Sequence, residues 1–102
     1  MDRVFRALAH PARRRILNLL KEGPLSAGEI AEAFDFSKPT LSGHLDKLRS
    51  AGLVHARKQA NRVIYSLNTS IIEGVLAAVY DVFGQSPAAA HPDDGGDDVA
   101  AK

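Results

Sequence analysis

The chain has 102 residues, 45% of them hydrophobic, and it contains no cysteine. This length is enough for one small domain, and the absence of cysteine excludes disulfides, thiolate metal sites and a cysteine nucleophile. No apolar run is long enough to span a membrane and no secretory leader is recognisable, so we expect a cytoplasmic protein without membrane contact.

The formal net charge of +1 hides an asymmetry along the chain. Residues 1–84 hold 12 Lys and Arg against 8 Asp and Glu, a surplus of +4, whereas residues 85–102 hold four Asp against Lys102, a balance of −3. We expect residues 85–102 to be a disordered acidic tail, since they lack hydrophobic periodicity. The basic body favours binding to a polyanion, with a solvated charged face as the alternative.

Two short helices are predicted at the start of the chain. Residues 2–9 form an amphipathic segment that is too short to be stable alone in water. His10-Pro11 interrupts it, because a residue before proline avoids helical angles, and a second helix then extends from Pro11 to about Glu22. The consecutive arginines 13–15 point in different directions around this helix, so they cannot all bind one ligand. Solvated or salt-bridged side chains are favoured, with phosphate contact as the alternative.

A helix-turn-helix motif follows. Ser26 and Glu29 match a capping box, in which two side chains bind the free amides at the start of a helix that ends by Asp35. After a short turn, Ser37 predicts the cap of a second helix and Gly52 its left-handed end. Two helices with this spacing are typical of DNA-binding proteins, although small helical hairpins look similar.

The second helix of this motif has an apolar stripe of Leu41, Leu45 and Leu48 and an opposite face of small polar side chains. Such a face can approach the edges of bases, so we expect it to lie in the major groove of DNA. For His44, at the boundary of the face, packing is the alternative. The expected contacts are Ser37, Lys38, Pro39, Thr40, Ser42, Gly43, His44 and Lys47.

Residues 54–59 and 62–67 predict a hairpin, because polar and apolar residues alternate with a period of two. Ala60-Asn61 joins the strands, with Asn61 able to adopt a positive φ. A basic hairpin after a recognition helix is typical of a wing that reaches phosphates or a minor groove. The expected DNA contacts are Arg57, Lys58, Asn61 and Arg62; Val63, Tyr65 and Leu67 are expected to face inward.

The last predicted helix opens at a second capping box, Ser70 and Glu73, and ends near Gly84. Its apolar residues cover more than half of its circumference, which is too much for one small domain. We expect this surface and the apolar side of the first helix to form the two-fold interface of a homodimer. The expected interface residues are Val4, Phe5, Leu8, Ile72, Val75, Leu76, Val79 and Phe83.

Three segments occur in order along the chain: FRALAHPARRRIL at 5–17, SKPTLSGHLDKL at 37–48 and AGLV at 51–54. On these segments, residues 3–83 resemble the ArsR family of bacterial winged-helix repressors, and are most similar to its metal-independent, SdpR-like autorepressor branch. The resemblance implies a mainly α winged helix-turn-helix domain over residues 1–84, with four helices, a two-stranded wing and a fifth helix. It also implies a non-enzymatic homodimer that binds a palindromic operator in double-stranded DNA and represses transcription.

The chain departs from the metal-sensing members of that family. Ser26 and Gly28 stand where those members have cysteines, and the last helix has Glu73 and Asp81 where others have pairs of Asp and His. We therefore expect no cofactor and no metal at these sites. His10 stands where similar sequences usually have an Asp that caps the second helix.

Several alternatives stay open. Repression can be relieved by a protein that titrates the repressor, or by a metal such as nickel or zinc, or a small molecule, bound at a non-cysteine His, Asp and Glu site. The segment His91-Pro92-Asp93-Asp94 offers such ligands in the tail, although ordering a flexible segment is costly. A protein-binding adaptor that does not contact DNA is a further alternative, because fold alone does not determine function.

Overall fold

The computed structural model describes residues 1–84, so the predicted acidic tail and its His91–Asp94 segment lie outside the described residues. The described residues fall into two compact units, with the division between Ile72 and Glu73. Among residues 1–84, α5 is the longest helix at 15 residues and none could span a bilayer. The elements are α1 (Asp2–Leu8), α2 (Pro11–Leu20), β1 (Leu25–Ser26), α3 (Ala27–Ala33), α4 (Lys38–Ser50), β2 (Val54–Gln59), β3 (Arg62–Leu67) and α5 (Thr69–Phe83).

This order confirms the predicted fold class, a mainly helical chain with a β-hairpin wing. The core of the first unit forms where α1, α2 and α4 pack together and where α2, α3 and α4 pack against the sheet. Its largest fully buried side chains are Ile16, Ile30, Leu48 and Leu53. Each comes from a different segment, so burial of these side chains joins α2, α3, α4 and the entry to the wing into one body.

The helix starts are set by side-chain caps. The Ser26 Oγ accepts a hydrogen bond from the Glu29 N–H at 3.1 Å and the Glu29 carboxylate accepts one from the Ser26 N–H at 2.8 Å, which confirms the capping box of α3. His10 caps α2, because its Nδ1 accepts from the Ala12 N–H at 3.2 Å. The imidazole of His10 thus caps α2 at the position where similar sequences usually have the carboxylate of an Asp.

The predicted cap of α5 is wrong by two residues. The helix begins at Thr69, and the Asn68 Oδ1 accepts a hydrogen bond from the Ile71 N–H at 3.4 Å. The Asn68 side chain also donates to the Gly52 carbonyl at 2.8 Å. Asn68 therefore replaces Ser70 as the capping residue, since it can satisfy the helix start and the end of α4 together.

The sheet has three antiparallel strands in the order β1-β3-β2. The hairpin pairs Val54 with Leu67 and Gln59 with Arg62, as the alternation predicts. The short strand β1 is missing from the sequence prediction, because two residues are too few to show a period. It pairs with the middle of β3, so it ties the start of α3 to the wing.

Two details of the predicted wing are wrong. The positive φ belongs to Ala60, at 57°, and not to Asn61. Val63 is 37% exposed instead of facing inward, whereas Tyr65 and Leu67 are partly buried. The tip of the hairpin extends past the packed body, so side-chain alternation no longer separates a buried face from an exposed face there.

Candidate nucleic-acid interface

The exposed face of α4 is the centre of the candidate site. Its buried residues are Leu41, His44, Leu45 and Leu48. The Ser37 Oγ caps the helix by accepting from the Thr40 N–H at 3.2 Å and donates to the Thr40 Oγ1 at 2.9 Å. The remaining predicted residues share the exposed face of the helix and its capped start: Ser37, Lys38, Pro39, Thr40, Ser42, Gly43 and Lys47.

Gly43 leaves the exposed face of α4 without a projecting side chain at its position. A Cβ built at this position would meet no other heavy atom within 4 Å, so packing inside the chain does not require a glycine there. A mid-helix glycine is unfavourable by roughly 0.5–1 kcal/mol relative to alanine. Its position between Ser42 and the buried His44 leaves a gap in the exposed surface through which another molecule can approach the helix backbone.

His44 differs from the other predicted contacts because its side chain is buried. It is 9% exposed, and its ring lies 4.7 Å from the ring of His10 and 5.3 Å from that of Phe36, edge to face in both pairs. Burial lowers the pKa of His44 from its ordinary value of 6.5, helped by the nearby His10 and Arg13. The side chain belongs to the packing that joins α2 to α4, which favours the packing alternative over DNA contact.

The consecutive arginines of α2 have three separate structural partners. The Arg13 Nε donates to the Ala7 carbonyl at 3.0 Å and the Arg14 side chain donates to the Leu8 carbonyl at 2.6 Å. The Arg15 guanidinium lies 5.5 Å from the ring centroid of Phe34. This arrangement agrees with the prediction that they do not bind one ligand. Their partners within residues 1–84 are backbone carbonyls and an aromatic ring, and not the acidic side chains of the predicted salt bridges.

One of the basic side chains of the wing, Arg62, forms an ion pair within the chain. The Arg62 Nη2 lies 3.4 Å from the Glu29 Oε1, and both side chains are about half exposed. The hydrogen bonds from Ser26, with a smaller contribution from Arg62, lower the pKa of the Glu29 carboxyl. Arg57, Lys58 and Asn61 are exposed near the tip. Arg62 pairs with Gln59 beside the turn of the hairpin, so its ion pair with Glu29 joins the outer end of the wing to α3.

The predicted dimer residues differ in how much surface they present. Val4 and Val75 are 6% and 9% exposed, so these two side chains offer little area to a second chain. Phe5, Leu76 and Phe83 are 42%, 49% and 76% exposed. The partly buried members of the set are Leu8, Ile72 and Val79.

The positions of the family's cysteines do not offer metal ligands here. Ser26 is 6% exposed and its hydroxyl is engaged in the cap of α3, while Gly28 has no side chain. Within the part of the chain that the structure describes, no three His, Asp or Glu side chains lie together in a metal-binding group.

Comparisons with known proteins place this geometry among regulators. The family description "Bacterial regulatory protein, arsR family" matches residues 10–56. The transcriptional repressor SdpR of Bacillus subtilis is 44% identical over 72% of this chain and 81% of that protein. An arsenical resistance operon repressor of Staphylococcus xylosus is 38% identical over 72% of this chain and 70% of that protein.

A relative that is named an activator, and not a repressor, is also similar to this chain. The transcriptional activator HlyU of Vibrio cholerae is 32% identical over 81% of this chain and 77% of that protein. Its solved structure matches with a TM-score of 0.66 and covers 82% of this chain and 91% of that chain.

The burial of His44 predicts a pH dependence of stability. A folded-state pKa below 6.5 means that the unfolded chain binds the proton more readily, so stability contributed by neutral His44 falls as the pH drops below about 6.5. We expect His44→Phe, which keeps an aromatic ring but cannot titrate, to lose less stability than the unsubstituted chain between pH 7.5 and pH 5. Urea unfolding at the two pH values measures the difference. An equal loss of stability in both proteins would contradict the assignment of a lowered pKa to His44.

Proposed function

Because the chain belongs to the ArsR family of bacterial regulatory proteins, we propose that it is a cytoplasmic repressor that binds an inverted-repeat operator as a homodimer. The prediction of a non-enzymatic regulator of this family is confirmed. The observation that carries the proposal is the exposed face of α4, a helix of 13 residues with short polar side chains and a capped start. A face of this kind fits the major groove, where hydrogen-bonding groups distinguish all four base pairs.

Each residue of this face has a proposed role. Thr40, Ser42, Gly43 and Lys47 border the base edges, since they lie along the outer side of the helix. Ser37 and Lys38 hold backbone phosphates near the helix start, where the helix dipole favours an anion. Pro39 occupies the first turn, where its missing N–H has no helical partner to lose.

The wing supplies contacts that do not read sequence. Arg57, Lys58 and Asn61 lie at the exposed outer part of the hairpin and can reach phosphates or an adjacent minor groove. Arg62 contributes to the same basic surface while it is paired with Glu29. An exposed ion pair of this kind is weak, so Arg62 can exchange Glu29 for a phosphate at small cost.

The homodimer is proposed from the exposed apolar side chains. Phe5, Leu76 and Phe83 leave large hydrophobic surfaces uncovered in the single chain, and Leu8, Ile72 and Val79 add to them. Two-fold pairing through these residues would place two α4 helices in half-sites about 34 Å apart, one turn of the duplex. The expected operator is a short imperfect palindrome.

Repression is favoured over activation by the similarity to SdpR and to the arsenical resistance operon repressor, although HlyU is named an activator. Metal independence is proposed because the hydroxyl of Ser26 and the hydrogen of Gly28 cannot replace thiolate ligands. Footprinting on the promoter of the chain's own gene, with and without divalent metals, tests both proposals. Metal-dependent protection, or promoter activation on binding, would overturn the corresponding part.

The close-approach role of Gly43 gives a direct test. Gly43→Leu should preserve folding, because the position is open and leucine is a better helix former than glycine. The added side chain should hold α4 away from the bases and weaken operator binding by about tenfold or more. Fluorescence anisotropy measures binding, and thermal unfolding is the control. Unchanged affinity in a folded variant would contradict a buried position for this face in the groove.

The division between base-reading and phosphate-holding residues gives a second test. Lys47→Ala should weaken operator binding by about 1–3 kcal/mol and alter sequence preference. Arg57→Ala, a matched loss of one positive charge on the wing, should weaken binding to operator and random duplexes by similar factors. Competition binding with single-base operator variants measures the difference. If both substitutions had the same effect on specific and random DNA, the proposed roles would be incorrect.

A further inference from the structure

A basic cleft lies between α1, α2 and α4, and it shares only Lys47 with the exposed face of α4 described above. It has a volume of about 500 Å³, and its charged lining consists of Arg3, Arg6, Arg13 and Lys47 with Asp46 as the single acid. Four positive charges against one negative charge give the cleft a local surplus of +3. No sequence motif contains this cluster, because its members come from three helices.

The packing of α1 turns two of these arginines toward the cleft. At about 100° per residue, Arg3, Arg6 and Ala7 share one side of α1, and Phe5 and Leu8 share the other. Ala7 is only 4% exposed and lines the cleft, so the small side chain lets α1 pack closely while the arginines stay at its edge. The basic side of α1 is thus separate from its proposed dimer side.

Arg13 is held in place at the base of the cleft. Its Nε donates to the Ala7 carbonyl at 3.0 Å, which uses one of the five donors of the guanidinium. This bond fixes the side chain across the end of α1. A guanidinium fixed in this way is suited to an anion, because its planar donors match two oxygens of a phosphate group.

The four cations of the cleft have no acidic partner among residues 1–84. The ion pairs in that part of the chain are Arg49 with Asp46, at 4.0 Å, and Arg62 with Glu29. Asp46, the acid that lines the cleft, is therefore shared with Arg49. Like charges gathered without internal compensation are stabilised when an external anion neutralises them.

We infer that this cleft binds backbone phosphates of the operator duplex and forms a second phosphate-binding surface beside α4. Lys47 connects it to the base-reading face, because this residue lines the cleft and also lies on the exposed side of α4. On the other side of α4, Lys38 and Ser42 line a groove with Tyr65 of the wing, and Lys38 is the one cation in its lining. The basic cleft and the wing thus lie on different sides of α4, and the inference rests on the proposed DNA-binding function.

The test removes cleft charges without touching α4 or the wing. We expect Arg6→Gln and the double variant R3Q/R6Q to weaken binding to promoter and random duplexes alike, by about tenfold for the double variant at physiological salt. The slope of log affinity against log salt should fall by about 0.9 for each phosphate that the variant no longer binds. Lys21→Gln is the matched control, because it removes one exposed positive charge just after α2 and away from the cleft lining.

Phosphate ethylation interference locates the contacts. In the full chain, R3Q/R6Q should lose interference at one set of phosphates while Arg57→Gln loses it at another set. Sedimentation should give R3Q/R6Q the same mass as the unsubstituted protein, since its substitutions are on the side of α1 away from Phe5 and Leu8. A lower mass, or an equal effect of Lys21→Gln, would overturn the inference.

Failure of the inference is distinguishable from failure of the proposed function. If R3Q/R6Q kept the full salt slope and interference pattern while Arg57→Gln did not, the cleft would be excluded and DNA binding retained. If the unsubstituted chain showed no salt-dependent duplex binding, DNA binding itself would be excluded, and the cleft assignment with it.

Discussion

The two-sided character of α4 is the constraint on which the other features depend. Leu41, Leu45 and Leu48 are between 0% and 5% exposed, and full burial of one such side chain is worth roughly 1.5–3 kcal/mol. Rotation of the helix about its axis would bring at least one of them into water. The core therefore determines which side of α4 faces outward, and Thr40 and Gly43 lie on that side because of it.

A single carboxylate links two of the elements that surround this helix. Glu29 accepts a hydrogen bond from the backbone of Ser26 and lies beside Arg62, next to the turn of the wing. Because β1 also pairs with Ile64 and Tyr65 of β3, the start of α3 and the wing are joined by backbone and side-chain contacts together. The wing is thus positioned relative to the helix-turn-helix by local chemistry and not only by the hairpin turn.

The sequence was most informative where one local signal decides the structure. The capping box at Ser26 and the left-handed Gly52, at φ 81°, depend on neighbouring residues alone, and both were predicted. The inward direction of His44 could not be predicted, because helical periodicity puts it at the edge of the apolar stripe and its ring partner His10 is distant in sequence. Asn68 was missed for a similar reason, since its second partner is at the end of α4.

The residues of the candidate site divide in the same way, into those that a local sequence pattern predicts and those that only packing brings together. The polar face of α4 and the basic tip of the wing each lie within one continuous segment, so both could be predicted from the sequence. The cleft arginines of α1 and α2 are brought to Lys47 only by packing between helices, so no motif contains them. The partial exposure of Val63 likewise depends on how far the hairpin extends beyond the body.

The central claim is that the exposed face of α4 lies in the major groove of a duplex. Dimethyl sulfate interference on the chain's own promoter tests it most directly, because methylation of guanine N7 blocks the major groove while methylation of adenine N3 blocks the minor groove. We expect two patches of guanine interference about 10 base pairs apart, both changed by Lys47→Ala. Strong binding without guanine N7 interference at any position would contradict the claim.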